Sequence, residues 1–194
     1  MSLDRKLDKK EKLSIRNQLL KLLKESFIYN DNPVFTLSSG RKSRFYIDSK
    51  RVTLDPSGGF LVGQLILDSI YDLEVDAIGG MTLGADPLAI SASVLSYGEG
   101  SPLPAFIVRK DPKGFGESPY IEGNLKKGSN VVIVDDVLTG GNSVEKTINI
   151  LKEIDCKILR IIALVDRKEG GKEKLENLGY EVVSLFTVED LLKA

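Results

Sequence analysis

The chain shows two kinds of hydrophobic pattern, which predict helices and buried strands. Apolar residues recur at three- and four-residue spacing over residues 13–27 and 56–71, as on one face of an amphipathic helix. Asp55 or Ser57 is a suitable residue for the start of the second helix. From residue 75 onwards, short runs that are apolar throughout alternate with further helical patterns. The predicted strands are 75–80, 104–110, 131–135, 158–165 and 181–186, and the predicted helices between them are 84–97, 144–154 and 172–178.

Strands that are apolar throughout and alternate with helices are typical of a parallel sheet covered on both faces. We therefore expect an α/β fold in which helices flank a parallel sheet. Residues 1–12 are rich in charge and lack periodicity, which predicts a frayed start, and residues 34–51 are read as short strands and turns. We expect a single domain over residues 1–194, with a core at 56–179 and a small lobe, the hood, at 1–55 and 180–194.

Composition narrows the class of protein. The 194 residues carry a net charge of −1, so no overall field attracts nucleic acid or a membrane surface. An anionic ligand would need locally placed positive charge. The single cysteine, Cys156, excludes an internal disulfide, and no apolar run approaches the ~20 residues of a membrane span. The N-terminus lacks the apolar segment of a signal peptide, so we expect a cytoplasmic protein without a nucleic-acid or membrane partner.

The chain contains no histidine. This excludes Ser-His-Asp and Cys-His catalysis, HExxH zinc sites and histidine general bases. The chemistry would have to use carboxylates, lysine, arginine, tyrosine, backbone amides or a bound metal ion.

The strongest chemical signal is the segment 131–143, in which a strand of β-branched residues leads to Asp135 and Asp136 and then to a glycine-rich turn. Ligands of open α/β sheets bind beyond the carboxyl ends of the strands. Glycine lets backbone N–H groups approach an anion, and the start of the next helix adds unpaired donors. The turn therefore suits a phosphate, and the carboxylates suit ribose hydroxyls. The alternative is structural: the aspartates end the strand, and Asn142 caps the helix together with Glu145.

Residues 132–143 resemble the motif with which type I phosphoribosyltransferases bind 5-phosphoribosyl 1-diphosphate (PRPP). The match consists of an apolar strand, two acidic residues and a Thr-Gly-Gly turn. The resemblance implies the fold of that family and Mg²⁺ as a cofactor, held mainly through PRPP rather than directly by the protein. The residues that it implies for PRPP binding are Asp135, Asp136, Val137, Leu138, Thr139, Gly140, Gly141, Asn142 and Ser143.

Residues 35–48, 79–87, 108–123 and 164–171 resemble orotate phosphoribosyltransferases in particular. The third segment is rich in Lys, Arg, Pro and Gly and has no apolar periodicity, as expected for a cationic lid that closes over a leaving diphosphate. The alternative is a solvated basic turn. The further PRPP contacts that the resemblance implies are Arg41, Arg109, Lys110, Lys113 and Phe115.

The resemblance also implies which residues meet the base. Tyr46, Thr139 and Arg167 would bind orotate, with the Arg167 guanidinium holding its carboxylate. The alternative for Arg167 is a structural ion pair with Asp166 or Glu169. The alternative for Tyr46 is a place in the core, where strand aromatics are more common.

Three positions depart from the family's pattern. Some members carry a lysine where Ser38 stands here and another where Gly84 stands, and the lid commonly carries a histidine where Phe115 stands. Diphosphate binding would then depend more on Arg41 and the lid, and the lid lysines would take over the role of the histidine.

The resemblance implies an orotate phosphoribosyltransferase of pyrimidine biosynthesis, which joins the anomeric carbon of PRPP to a ring nitrogen of orotate and releases diphosphate. Lys110, Lys113 and Asp136 are the expected catalytic residues. A homodimer is implied, with each lid reaching the neighbouring site. Two alternatives stay open. A purine or uracil phosphoribosyltransferase would not need Arg167, and a PRPP-sensing regulator that binds RNA should show a basic face.

Overall fold

The computed structural model of the chain describes residues 6–36, 40, 42–112 and 120–193. The helices are α1 (Lys9–Glu25), α2 (Lys50–Thr53), α3 (Pro56–Asp68), α4 (Ala85–Gly98), α5 (Asn142–Glu153), α6 (Gly171–Asn177) and α7 (Val188–Lys193). The strands are β1 (Phe27–Tyr29), β2 (Phe35–Thr36), β3 (Lys42–Ser43), β4 (Phe45–Ile47), β5 (Ala77–Met81), β6 (Ala105–Val108), β7 (Ile121–Gly123), β8 (Asn130–Leu138), β9 (Lys157–Asp166) and β10 (Val182–Thr187).

Six strands form the central sheet, in the order β10-β9-β8-β5-β6-β7. The first five of these pair in parallel, which confirms the predicted α/β class. Strand β7 pairs antiparallel with β6 at the edge, although the sequence assigned residues 121–123 to the lid. This edge strand forms because Ile121 is buried opposite Val108. Gly123 contributes as well, because its φ of +99° favours glycine. A Cβ at this position would lie only 2.8 Å from the Ala105 carbonyl oxygen.

The side chains of β8 divide the core into two layers. Val132 and Val134 pack with residues of α1, α3 and α4, whereas Val131 and Ile133 pack with residues of α5 and α6. All four side chains are fully buried. Since helices cover both faces, the strand is apolar throughout rather than alternating.

Helix α1 begins earlier than its hydrophobic pattern predicts. Asp8 caps it in a capping box with Glu11, and the Asp68 carboxylate of α3 accepts a hydrogen bond from the Leu7 N–H at 3.0 Å. Lys12 Nζ lies 2.6 Å from the same carboxylate. The prediction of a frayed start is therefore wrong for residues 6–12, because polar contacts, which leave no hydrophobic period, hold this segment.

Helix α3 begins as predicted. The Asp55 carboxylate accepts hydrogen bonds from the backbone N–H groups of Ser57 and Gly58, at 2.9 and 3.4 Å. Asp55 is thus confirmed as the residue that caps the start of α3, where a negative charge also interacts favourably with the helix dipole. Leu61 and Leu65 of the predicted apolar face are buried.

The division into a hood and a core stays a prediction. In the N-terminal part, β1 pairs with β4 and β2 with β3 as two small antiparallel ribbons beside the main sheet. In the C-terminal part, β10 is an edge strand of the central sheet and α7 lies against α1. Among the described residues, no helix has the length and apolarity needed to cross a membrane.

Candidate active site

Strand β8 extends beyond the predicted end at residue 135 and carries both aspartates within the strand. Its pairing with β9 continues through Asp135 to Leu138, which lies opposite Asp166. Because successive side chains of a strand point to opposite faces, Asp135 and Asp136 face different surroundings. Their positions at the carboxyl end of a central parallel strand agree with the usual place of ligands in such sheets.

The Asp135 carboxyl group is buried, with 6% of the residue exposed. Burial raises its pKa to about 8, and the nearby charge of Asp136 acts in the same direction. The Ser143 hydroxyl, 3.5 Å from Oδ2, partly opposes this shift. At neutral pH this group is therefore largely protonated in the ligand-free protein and can donate as well as accept a hydrogen bond.

The Asp136 carboxylate is fixed by neighbours from two parts of the chain. Its Oδ2 accepts a hydrogen bond from Ser49 Oγ at 2.5 Å, and its Oδ1 accepts one from the Val137 N–H at 3.0 Å. Lys50 Nζ lies 3.7 Å from Oδ2. A Cβ at Gly84 would lie 2.1 Å from Oδ1. A side chain at residue 84 would therefore require the Asp136 carboxylate to move from this position.

The turn after β8 depends on two glycines. Gly141 precedes α5 with a φ of +76°, which glycine adopts readily. Gly171 backs the turn, since a Cβ there would lie 2.4 Å from the Thr139 carbonyl oxygen. Helix α5 starts directly after the turn, so its first N–H groups are close to the end of β8.

Asn142 does not cap α5. The residue at the cap position is Gly141, and no described side chain caps the helix. Asn142 Oδ1 instead accepts a hydrogen bond from Lys174 Nζ at 2.9 Å, and the same ammonium donates to Glu145 at 2.7 Å. The structural alternative of a capping box is therefore wrong, and no capping side chain competes with an anion at this helix start.

One cavity of ≈ 440 Å³ joins the two aspartates to the proposed base contacts. A larger groove of ≈ 630 Å³ between α1 and α3 has no glycine turn and no aspartate pair, so chemistry rather than size selects the site. The residues that line the smaller cavity are Thr36, Tyr46, Ile47, Lys50, Met81, Thr82, Leu83, Gly84, Lys110, Asp135, Asp136, Val137, Thr139, Ser143 and Arg167.

Some residues expected at the site lie elsewhere or are not described. Leu138 is fully buried in the core, so only its backbone is available to a ligand. Arg109 pairs with Glu122, with 3.4 Å between Nη1 and Oε1. Arg41, Lys113 and Phe115 lie outside the described residues. Their roles stay predictions.

Arg167 is 5% exposed but lies on the cavity wall. Its Nε donates to Glu169 Oε1 at 2.9 Å, and its Nη2 donates to Ser43 Oγ at 2.8 Å. The guanidinium also lies 4.2 Å from the centre of the Phe45 ring. The ion pair with Glu169 that the sequence left open is thus present. This ion pair is compatible with a role of Arg167 in the cavity, because it orients the guanidinium while the residue still lines the cavity wall.

The two neighbouring aromatics of β4 have different surroundings. Phe45 packs on Phe27, with 5.9 Å between ring centres, and contributes to the core. Tyr46 is 43% exposed, lines the cavity and stacks on Phe35 at 6.0 Å. The alternative of a place in the core therefore does not hold for Tyr46, whereas the neighbouring Phe45 packs against the core.

Sequence reasoning missed Ser49 and Lys50. Both contact Asp136, and Lys50 lines the cavity. The available signal was weak, since a serine and a lysine after a short strand are ordinary surface residues. Only the folding of α2 against the end of β8 shows their proximity to the site.

Comparison with known proteins identifies the family. The family described as "Phosphoribosyl transferase domain" matches residues 66–186. The orotate phosphoribosyltransferase of Aquifex aeolicus is 41% identical over 178 residues, which cover 91% of this chain and 97% of the relative. That of Nostoc sp. is 41% identical and covers 92% and 85% of the two chains. The chain belongs to the orotate phosphoribosyltransferase family.

Solved structures of orotate phosphoribosyltransferases have the same fold. The Mycobacterium tuberculosis enzyme in complex with PRPP is 31% identical, with a TM-score of 0.75, and 91% of this chain and 98% of that chain are covered. The Aeropyrum pernix enzyme is 35% identical, with a TM-score of 0.73 and coverage of 90% and 96%. An adenine phosphoribosyltransferase at 18% identity and a TM-score of 0.62 shares the fold alone. The architecture is therefore common to enzymes for different bases, while sequence identity favours the orotate family.

Proposed function

We propose that the protein transfers ribose 5-phosphate from PRPP to orotate, giving orotidine 5'-monophosphate and diphosphate in the synthesis of UMP. One observation carries the proposal: a single cavity joins an aspartate pair and a glycine turn at the end of β8 to the Arg167 guanidinium. The first two features suit a ribose phosphate, and the guanidinium suits a base that carries a carboxylate.

Each part of the cavity would hold one part of the reactants. The turn from Thr139 to Ser143 and the start of α5 would bind the 5-phosphate, since glycine and a helix start present backbone donors to an anion. Asp135 and Asp136 would bind the ribose hydroxyls. The flat orotate ring would lie near the exposed face of Tyr46, with its carboxylate toward Arg167. The M. tuberculosis relative was crystallised in complex with PRPP, which supports PRPP as one of the ligands.

The proposed reaction exchanges one bond at the anomeric carbon. The bond from that carbon to the diphosphate oxygen breaks with its electron pair going to diphosphate. The orotate nitrogen supplies the electron pair of the new bond, and its N–H proton passes to diphosphate or to water. Positive charge develops on the ribose and negative charge on the leaving group. Asp136 would favour the first, and Lys110 of the cavity together with Lys113 would favour the second. Orotate is acidic at its ring nitrogen, so a chain without histidine needs no strong general base.

We also propose Mg²⁺ as the cofactor. Asp135 and Asp136 carry the oxygen ligands that Mg²⁺ prefers, but Asp136 already accepts hydrogen bonds from Ser49 and Val137. The residues present therefore fit an ion held mainly by the oxygen atoms of PRPP and only bordered by the protein. When bound, it would neutralise negative charge on the diphosphate.

A homodimer is proposed on the basis of the exposed apolar surface of α3 and α4. Leu54, Phe60, Ile90 and Val94 are each at least half exposed and line one hollow of ≈ 410 Å³. Leu83, 67% exposed, belongs to the lining of the active-site cavity at the start of α4. The apolar surface and the site thus lie along the same helix. We propose that a second copy covers this surface, which would bring its lid close to the neighbouring site.

The alternative functions have less support. A purine or uracil enzyme would not need Arg167 on the cavity wall, and the adenine phosphoribosyltransferase at 18% identity shares the fold alone. A net charge of −1 does not favour an RNA-binding regulator.

The free thiol of Cys156 is compatible with a reducing compartment, and we propose the cytoplasm as the location of the protein.

An assay of the base tests the proposal. The protein is incubated with PRPP, Mg²⁺ and, in separate reactions, orotate, uracil, adenine and hypoxanthine, and consumption of each base is followed by absorbance. We expect orotate alone to be consumed at a rate that depends on PRPP. Consumption of uracil or a purine without consumption of orotate would contradict the proposal.

A further inference from the structure

Lys50 is a cation that lines the cavity and has no part in the proposed binding of the base, ribose or phosphate. It is the first residue of α2, and 44% of its side chain is exposed. Its Nζ lies 3.7 Å from Asp136 Oδ2 and 3.9 Å from Asp48 Oδ1. Both distances are too long for a hydrogen bond. Asp136, which lines the cavity, therefore attracts the ammonium toward it, and neither carboxylate accepts a hydrogen bond from the ammonium.

The backbone that carries Lys50 is fixed. The preceding Ser49 is fully buried, and its hydroxyl donates to Asp136 at 2.5 Å. Val52 is 4% exposed, and α3 passes so close that a Cβ at Gly58 would lie 2.0 Å from the Val52 carbonyl oxygen. Helix α2 cannot shift without breaking these contacts. The ammonium is therefore held at the cavity by a rigid support rather than by a free loop.

The positions of other charged groups around the cavity leave the region beside Asp136 open for such a cation. Arg167 is paired with Glu169, at the end of the cavity proposed for the base. Position 84 has no room for a side chain while Asp136 keeps its place. Among the described cations that line the cavity, Lys50 has its charged group within 4 Å of Asp136, where the ribose hydroxyls are proposed to bind. The diphosphate is attached to the same ribose and carries several negative charges.

We propose that Lys50 is a binding residue for the diphosphate group of PRPP. The inference rests on the proposed function. The ammonium donates to a diphosphate oxygen in the PRPP complex and in the product complex, while Asp136 accepts from the ribose. Asp136, which lines the cavity, keeps Lys50 directed toward it. Since negative charge on the diphosphate increases as its bond to the ribose breaks, the same contact also favours the reaction.

The test separates a diphosphate contact from an effect on Asp136. Lys50→Met removes the charge but retains much of the side-chain length, and Lys50→Arg keeps the charge. Arg51→Met is the matched control, because this next residue of α2 is exposed and lines a different hollow beside α1. Calorimetry at constant Mg²⁺ measures the Kd of each variant for PRPP, for diphosphate and for ribose 5-phosphate.

We expect Lys50→Met to raise the Kd for PRPP and for diphosphate by about 10- to 100-fold, the usual effect of losing a hydrogen bond to a charged group. The Kd for ribose 5-phosphate should change by less than about twofold, since that ligand has no diphosphate. Lys50→Arg should retain most of the affinity, because arginine is also a strong phosphate ligand. Arg51→Met should bind all three ligands as the unmodified protein does.

Two results would overturn the inference. An unchanged Kd for diphosphate would show that Lys50 does not contact this group. An equal rise for ribose 5-phosphate and PRPP would show that Lys50 acts through Asp136 on the ribose instead. Failure of the unmodified protein to bind PRPP would contradict the proposed function itself, so the two failures are distinguishable.

Discussion

At the scale of single residues, the site places two adjacent carboxyl groups in different electrostatic states. Asp135 is buried beside Ser143 and has a raised pKa, whereas Asp136 is near Lys50 and accepts hydrogen bonds from Ser49 and Val137. The alternation of a β-strand is the cause, because neighbouring side chains point to opposite faces. A protonated Asp135 can donate a hydrogen bond to one hydroxyl group, while the Asp136 oxygen atoms can accept one from another.

The raised pKa of Asp135 predicts a stability that falls with pH. The folded protein holds this proton up to about pH 8, whereas the unfolded chain releases it near 3.8. Between these values the folded state binds more protons, so the free energy of unfolding decreases as the pH rises. We expect the Tm of the unmodified protein to fall between pH 6 and pH 9, and that of Asp135→Asn to fall less. Thermal unfolding followed by circular dichroism measures both.

Asp155→Asn is the control for this experiment, since that carboxylate is exposed and pairs only with an exposed lysine in the described structure. It should retain the pH dependence of the unmodified protein. The interpretation is wrong if Asp135→Asn shows the same fall in Tm as the control.

Arg167 supports a second prediction at this scale. Arg167→Ala should raise the KM for orotate by about 10- to 100-fold, because a charge-assisted contact to the carboxylate is lost. The KM for PRPP should change little. Glu169→Gln is an informative companion, since it keeps a hydrogen-bond acceptor for Nε while removing the competing charge. Steady-state kinetics with each substrate varied in turn gives both constants, and equal rises of the two would exclude a specific contact with the base.

At the scale of elements, the site depends on close approaches between neighbouring segments. The start of α4 lies so close to the end of β8 that Gly84 and Asp136 share the space of one side chain. Gly171, at the start of α6, backs the turn after β8 in the same way. Small residues at these points let α4 and α6 approach the end of β8 and the turn that follows it.

Gly84→Ala tests the first of these approaches. Its Cβ would displace the Asp136 carboxylate, and we expect a loss of about 1–3 kcal/mol in the free energy of unfolding, as for other overpacked sites. A weaker affinity for PRPP should accompany it. Gly98→Ala, at the other end of α4, is the matched control because no atom lies within 4 Å of its added Cβ. Urea unfolding measures the stability, and equal stability of the two variants would contradict the steric argument.

Elements with a hydrophobic period were predictable from the sequence, and those held by polar or distant contacts were not. The five parallel strands and helices α3, α4 and α5 follow from apolar spacing. The first turn of α1 was not predicted, because Asp8, Glu11 and Lys12 stabilise it through hydrogen bonds and an ion pair. The edge strand β7 was not predicted, because its three residues form a strand only by pairing with β6, which lies earlier in the chain.

The candidate site divides in the same way. The aspartates, the glycine turn and Arg167 were predictable because they follow strands of the sheet, and strand ends meet at one edge. Ser49 and Lys50 were not, since α2 has four residues and no period of its own. Its position follows from packing against α3 and from the bond between Ser49 and Asp136.

At the scale of the whole molecule, the apolar surface of α3 and α4 predicts the oligomeric state. Val94 is 66% exposed on this surface, and a lysine there would place a charge in the proposed interface. We expect Val94→Lys to be monomeric at concentrations where the unmodified protein is dimeric. It should also lose activity if each lid serves the neighbouring site. Size-exclusion chromatography with light scattering measures the mass.

Leu178→Lys controls for the added charge, because Leu178 is 53% exposed at the end of α6 and outside the apolar surface. It should leave the mass unchanged. A dimeric Val94→Lys variant would place the interface on another face of the molecule.

The pairing of β7 with β6 also sets a limit on the reach of the lid. Val108 and Ile121 lie opposite each other in the sheet, so residues 109–120 start and end at nearly the same point. A loop tethered at both ends can extend by no more than half its contour, which is roughly 20 Å for this length. The backbone of the lid must therefore stay within that radius of the sheet edge, and only its side chains can reach farther. The antiparallel strand thus fixes both ends of the lid. A lid could serve the active site of a second subunit only if that site lies within this reach.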